Sequence, residues 1–251
     1  MRRLLAAGTI VLVIGLVCSL AYGQESNATD NWQFSLAPMY LWGASINGDQ
    51  TVKGIDVDLD VSFGDIFNNL NGALIFHFEG VKQRRWGFWV DFNAIRLNPQ
   101  QGTPLGDIDI NFTQILTELT GFYRWNVGAH NFDALGGLRY SRMKLDLDFP
   151  GPLLSVDQSK GWVDPFVGAR WLWQMSERWN LILRGDIGGF GVGSDFTWNL
   201  VGLVDFKPWK HVSLFGGYRA LYQDYEDGSG ANEFKYDATM TGPILGLNIT
   251  W

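Results

Sequence analysis

The sequence predicts an all-β fold: a closed antiparallel up-and-down transmembrane β-barrel of ten strands, with eight or twelve as alternatives. Three observations carry that reading. Polarity alternates with period two through most of the chain after residue 31. The links between the alternating segments are short and long by turns. Aromatics make up 15% of the residues, with 12 tryptophans and 31 glycines, and tryptophans collect near segment ends.

Ten strands follow in order: Trp32–Ser45, Gly72–Lys82, Trp86–Asn98, Asp109–Trp125, Asn131–Asp148, Trp162–Met175, Trp179–Val192, Phe196–Phe206, His211–Asp224 and Phe234–Trp251. In the third, Trp86, Phe88, Val90 and Phe92 point one way while Asp91 and Asn93 point the other. The seventh sets Trp179, Leu181, Leu183 and Ile187 against Asn180, Arg184 and Asp186. The eighth sets Phe196, Trp198, Leu200, Val204 and Phe206 against Thr197, Asn199 and Asp205. In the ninth, Val212, Leu214, Tyr218 and Tyr222 oppose Ser213, Arg219 and Gln223. Helical spacing fits none of these better. The tenth keeps Leu245, Leu247, Ile249 and Trp251 on one apolar face through to the aromatic residue at position 251.

One set of links is short: Gln83-Arg84-Arg85, Asn126 to His130, Ser176-Glu177-Arg178 and Lys207 to Lys210. The other is longer: Ile46 to Asn71, Pro99 to Gly106, Phe149 to Gly161 and Tyr225 to Glu233, with Gly193-Ser194-Asp195 as a tight exception. Short links collect Lys82, Arg84, Arg85, Arg178, Lys207 and Lys210; long links collect Asp49, Asp56, Asp58, Asp60, Asp65, Asp157, Glu226 and Asp227. Periplasmic turns and outer loops have this pattern, and an even strand number returns both ends to one side. Only a closed barrel satisfies every backbone amide in lipid. A soluble sandwich alternates too, but its core has no need of the strand-end tryptophans Trp86, Trp125, Trp162, Trp173, Trp179 and Trp209, which fit an interfacial girdle.

The first residues fit export. Arg2-Arg3, the apolar run Leu4 to Val17 and the small-residue site Ala21-Tyr22-Gly23 read as a signal peptide over residues 1–23, with an uncleaved membrane anchor as the alternative. Residues 24–31 form a short polar segment, and 32–251 one barrel domain. Cys18, the only cysteine, leaves with the leader, so neither disulfide nor thiol chemistry is expected. It follows Gly15-Leu16-Val17, which lacks the small residue a lipidated cysteine needs just before it. Losing Arg2 and Arg3 leaves 17 of the 19 basic residues against 26 acids, a charge of −9, which excludes nucleic acid as a partner.

Inward-facing positions hold His77, Glu79, Asp91, Glu118, Arg124, Arg139, Asp164, Arg170, Arg184, Asp186, Asp205 and Arg219. Unpaired buried charge is prohibitive, whereas Arg–carboxylate pairs are tolerable. A lumen filled with salt bridges and a selective polar path or ligand pocket are both open readings. At ten strands the interior is closed or very narrow.

Over the whole chain after the leader, these strands and the aromatic end resemble small Gram-negative outer-membrane β-barrel proteins of the OmpA/OmpW-like class. "DVDLDVSFGDIFNNLNGALIFHFEG" and "DPFVGARWLW…RGDIGGFGVGSDFTW" resemble a branch of that class. The resemblance implies that "LGLNITW" serves as the assembly signal, with Leu245, Leu247, Ile249 and Trp251 read by the barrel-assembly machinery. It also implies residence in the outer membrane beside lipid and lipopolysaccharide.

Chemistry is harder to find. His211-Val212-Ser213 resembles the His-x-Ser of outer-membrane lipid A deacylases, but it follows a short turn, on the side away from the outer leaflet. His130 lies in another short turn, and His77 belongs with Glu79 in the lumen. Asp56, Asp58 and Asp60 share one side of an extended segment and make a possible weak cation contact, although no dedicated calcium-loop pattern is present. Ser62 can N-cap a helical turn in "SFGDIFNNL", placed as a lid over the mouth. No metal site and no cofactor is expected, and a monomer is favoured. The expected function is a non-enzymatic barrel, structural or a narrow channel for small solutes. The alternative is surface binding of lipid, ions or another molecule through acidic loops, and more remotely a lipid-modifying enzyme.

Overall fold

The computed structural model describes residues 32–52, 54–98, 100–103, 106–148 and 156–251, and the expected leader 1–23 and segment 24–31 lie outside them. The strands are β1 (Trp32–Ala37), β2 (Tyr40–Trp42), β3 (Ser45–Val52), β4 (Ile55–Val61), β5 (Leu70–Lys82), β6 (Trp86–Leu97), β7 (Gln100–Thr103), β8 (Gly106–Val127), β9 (His130–Asp148), β10 (Val156–Gln174), β11 (Trp179–Gly189), β12 (Phe196–Phe206), β13 (Val212–Asp227) and β14 (Phe234–Thr250). One short helix, α1 (Phe63–Asn68), sits between β4 and β5.

These pieces make a closed barrel of 10 wall strands. β1, β2 and β3 act as one interrupted strand, pairing with β14 along one edge, and β1 pairs with β5 along the other. At the seam the Phe34 amide donates to the Trp251 carbonyl at 2.9 Å, and the Trp251 amide returns the bond at 3.0 Å. Closure leaves no edge amide for lipid to strand.

Register aligns the apolar residues into belts. Leu138, Leu119, Val90, Phe78, Leu36, Ile249 and Val212 are successive cross-strand partners running through the seam. Leu245 and Leu200, 64% and 57% exposed, belong to the same outer surface. In water such a surface would be a liability; it belongs in a bilayer. Trp86, Trp125, Trp179 and Trp209 stand exposed beside the short turns, as an interfacial girdle. Trp162 departs from that expectation. It shares the parity of Asp164, so it points inward, buried and stacked on Tyr225 with centroids 4.2 Å apart.

The long-link end also differs from the sequence reading. The stretch read as loop, Ile46 to Asn71, carries the β3–β4 hairpin, and Pro99 to Gly106 contains β7, paired with the start of β8. β8, β9 and β10 run for 22, 19 and 19 residues, where about 9–11 suffice to span a bilayer. The wall therefore continues past the membrane. On β4 the side chains of Asp56, Asp58 and Asp60 are exposed, so polar residues that suggested loop are the outer face of strand.

Helix α1 lies at this end. The Ser62 hydroxyl accepts from the Asp65 amide at 3.2 Å, and the Asp65 carboxylate accepts from the Ser62 amide at 3.1 Å, a reciprocal capping box. The Ser62 hydroxyl, 2.6 Å from the Asp65 carboxylate, and then the Ser62 amide hold the Asp65 carboxyl below the usual carboxylate range. The helix turns Ile66 down into a buried cluster with Ile46, Leu116, Trp162, Leu221, Tyr236 and Met240. That cluster fills the upper lumen.

A closed ladder of this kind resists denaturing detergent until heated. Unboiled and boiled protein are expected to migrate differently on a denaturing gel; co-migration, with recovery in a carbonate-washed soluble fraction, would contradict the barrel.

Candidate functional site: the charged lumen

Two inward rows build the site. In the first, Asp164, Arg139, Glu118, Asp91 and His77 are consecutive cross-strand partners on β10, β9, β8, β6 and β5. In the second, Arg184, Arg170, Asp133 and Arg124 are partners on β11, β10, β9 and β8. Because residues directly opposite share a face, register alone delivers these side chains to the axis.

Glu118 is the hub of the first row, and neither it nor Arg139 exposes any surface. Arg139 lies 2.9 Å from Glu118 and 2.7 Å from Asp186. Arg219 reaches across from β13 to Glu118 at 2.8 Å and Asp91 at 3.4 Å, and donates to Asn199 at 3.0 Å. Arg184 lies 2.8 Å from Glu118 and 2.7 Å from Asp186, although its Nε and Nη2 lack a well-angled hydrogen bond. In the second row, Arg170 contacts Glu79 at 2.6 Å and Asp133 at 2.8 Å, and Arg124 contacts Asp133 at 2.7 Å. His77 joins the two, 3.2 Å from Asp91 and 3.8 Å from Glu79. Five guanidiniums thus meet five carboxylates. Tyr40 adds a hydroxyl bond to Asp91 at 2.9 Å.

Aromatic faces separate the cations. Trp89 lies between Arg170 and Arg184, whose guanidinium carbons stand 4.5 and 5.0 Å from its ring centroid. These two arginines are direct cross-strand partners, and the indole face attracts both. Phe166 meets Arg139 at 4.9 Å, and Trp42 meets Arg219 at 4.7 Å. Buried ion pairs and stacked rings together occupy this level of the lumen.

Two residues read as network members sit apart from the ion pairs. Asp164 accepts only neutral donors, the Ser194 amide and hydroxyl at 2.6 and 2.9 Å, Trp162 at 3.1 Å and Gln223 at 3.4 Å. It fastens the tight β11–β12 turn instead. Asp205 lies at the short-turn mouth and accepts from Asn180 at 3.1 Å. Conversely, Asp133 is central and escaped the sequence reading. Its parity with Arg139 was the available signal. Tyr40 escaped because the break between β1 and β2 obscures parity there.

The remaining candidates fall outside the network. His211 is exposed at a short turn, its Nδ1 2.8 Å from the Thr250 carbonyl, whereas Ser213 is buried on the inner face. Asp56, Asp58 and Asp60 share the outer face of β4 and are exposed. Asp58 opposes Asp49, which opposes Asp237, which opposes Asp224: four carboxylates in one row. Among the described residues no group of three or more His, Cys, Asp or Glu is arranged to hold a metal ion. Leu245, Leu247 and Ile249 lie on the outward face of β14, with Trp251 beyond its end at the seam.

A cavity of about 210 Å³ lies beside the network toward the short-turn end, where Ser35, Asp205 and Asn248 line it.

No family model matches the sequence, and no curated protein matches it. Among solved structures, the outer membrane protease OmpT from Escherichia coli is similar at 10% identity, covering 91% of this chain and 99% of that chain, with a TM-score of 0.53. Ail, the attachment invasion locus protein of Yersinia pestis, has 14% identity, coverage of 89% and 100%, and a TM-score of 0.38. The translocator domain of the autotransporter NalP from Neisseria meningitidis has 11% identity, coverage of 97% and 96%, and a TM-score of 0.44. The wall closure, the apolar belt and the likeness to OmpT agree: this chain has the outer-membrane β-barrel fold.

Proposed function

We propose that the protein is a non-enzymatic integral outer-membrane barrel whose lumen is sealed, so that it acts as a structural element rather than as a solute channel. The observation that carries this is the fully buried Glu118–Arg139 pair bridging to Arg184, Arg219 and Asp186 across the axis, beneath the apolar cluster closed by Ile66. A conducting path would need those charges to part and dry side chains to move. Buried ion pairs give way only at a cost of several kcal/mol.

The placement of the histidines supports the non-enzymatic part. All three histidines are placed, His77 in the lumen network and His130 and His211 at short turns, which are the periplasmic side in outer-membrane barrels. Lipid and lipopolysaccharide surround the belt, the barrel-assembly machinery reads the β14 terminus, and the barrel works as a monomer.

Liposomes loaded with an impermeant solute provide the test. Vesicles carrying the folded protein are expected to swell in isotonic small sugars or amino acids no faster than empty vesicles. Swelling that scales inversely with solute size would overturn the sealed reading in favour of a narrow channel.

One observation favours a second role beside the first. The row Asp224, Asp237, Asp49 and Asp58 places like charges directly opposite, which is destabilising without a counterion. Such a face on the outer extension suits contact with cationic groups or divalent-bridged lipopolysaccharide phosphates. Calorimetric titration of calcium into wild type and Asp49→Asn/Asp58→Asn protein separates this from a merely solvated face: heat lost in the variant supports it, and equal traces dismiss it.

A further inference from the structure

We propose that the cavity beside the charge network is a binding site, open toward the short turns, for a small uncharged molecule with an apolar body and a hydrogen-bond acceptor. This goes beyond the sealed-barrel reading and does not depend on it, because a blind pocket and a narrow channel can both hold a ligand.

The cavity has two unlike halves. Ile182, Val201, Leu203, Phe215 and Ile244 come from β11, β12, β13 and β14 and form an apolar wall. Val201, Leu203 and Phe215 are only partly buried. Inward apolar groups on an otherwise ionic lumen gain by covering that surface, as a ligand's hydrocarbon would do. Gly246 on β14 lets the Phe215 ring and Tyr40 close against the strand and complete this wall; a Cβ at that position would stand 2.5 Å from the Phe215 ring and 2.7 Å from Tyr40.

The opposite half selects the polar end. Trp89 is 1% exposed, lines the cavity, and its indole N–H has no acceptor. Arg184 also lines the cavity, stacks on Trp89 at 5.0 Å, and its Nε–H likewise has no acceptor. Buried donors are ordinarily satisfied, so two neighbouring orphans call for an acceptor oxygen. The pairing of the lining charges then selects an uncharged one. His77, Arg170, Arg184 and Arg219 line the cavity and are already committed to carboxylates: His77 to Asp91 and Glu79, Arg170 to Glu79 and Asp133, Arg184 to Glu118 and Asp186, Arg219 to Glu118 and Asp91. A charged ligand would lose its hydration among groups already paired, with Asp205 at the short-turn mouth the one lining acid outside the ion pairs. At about 210 Å³ the space is below the roughly 300–1,000 Å³ of drug-sized pockets, which limits the occupant to a small molecule.

The test uses the full folded chain in lipid nanodiscs, since detergents are themselves amphiphiles, with empty nanodiscs for background. Four probes of one shape are titrated by saturation-transfer NMR: 4-phenyl-2-butanone, n-butylbenzene, 3-phenylpropanoate and 3-phenylpropylammonium. The ketone is expected to bind saturably and at least about tenfold more tightly than either charged probe, the direction set by uncompensated charge burial. Leu203→Trp fills the cavity and should abolish ketone binding; Trp89→Phe keeps the ring, removes the donor, and should reduce the ketone to the affinity of butylbenzene. If Leu203→Trp loses heat-modifiable migration, Val201→Phe replaces it as the filled variant. Ketone signal surviving in the filled barrel, or a charged probe binding more tightly than the ketone, would overturn the proposal.

Discussion

Arg139→Ala is expected to lower the unfolding free energy in urea by about 3–5 kcal/mol, the range for breaking a buried pair by removing one partner. Arg139 exposes no surface and serves two carboxylates at once, Glu118 and Asp186, while stacking on Phe166. Its loss leaves Asp186 with Arg184 and Asn199 only, and strips Glu118 of its in-row partner. The transition should keep its slope and move its midpoint, because the wall ladder and the area exposed on unfolding are unchanged. Glu177→Gln in the exposed turn Ser176-Glu177-Arg178 is the control, with a shift under about 0.5 kcal/mol. A double-mutant cycle with Glu118→Ala should give a coupling of about 0.5–3 kcal/mol. Additive single effects, or an Arg139→Ala midpoint equal to wild type, would mean that the lumen charges are solvated and unpaired.

Deleting Trp251 is expected to abolish insertion, with the chain accumulating in the periplasm and being degraded. Two effects combine. The Trp251 backbone exchanges both hydrogen bonds with Phe34 where the first and last wall strands meet, so deletion shortens the seam. The ring, 39% exposed and 6.1 Å from the Phe34 ring centroid, also leaves the interfacial girdle. Trp251→Phe keeps backbone and aromatic and should insert normally. Trp251→Asp keeps the backbone and puts a charge at the bilayer boundary, so its outer-membrane level should fall. Comparing the four proteins by membrane fractionation separates seam from ring: equal levels in all of them would show that neither matters to assembly.

Parity made much of this site legible, and register was what the sequence withheld. Counting alternate residues placed Glu118, Arg139, Arg184, Asp186 and Arg219 inside, and each is inside. Which acid meets which arginine depends on strand stagger. Arg139 finds Glu118 21 residues earlier and Asp186 47 residues later, distances that no local pattern encodes. Trp162 shows the opposite failure. A residue-type rule sent it to the membrane girdle although its own parity pointed inward, and parity prevailed. β3 and β4 were hidden for a third reason. A strand that rises above the bilayer wets its outer face, so "DVDLD" alternates between aspartates and apolar residues and resembles a polar loop. The cavity has no sequence signal, since it arises where inward residues of nine different strands fail to meet.

Single-channel recording in planar bilayers tests the sealed lumen most directly. Wild-type protein, inserted and verified by heat-modifiable migration, is expected to give no discrete conductance steps across ±100 mV, a field worth roughly 2.3 kcal/mol per elementary charge moved and so short of breaking the buried pairs. Removal of the Glu118 hub by Glu118→Ala should introduce flickering openings in protein that still inserts. Regular steps of fixed size in the wild type, unchanged in Glu118→Ala, would contradict a lumen closed by these ion pairs.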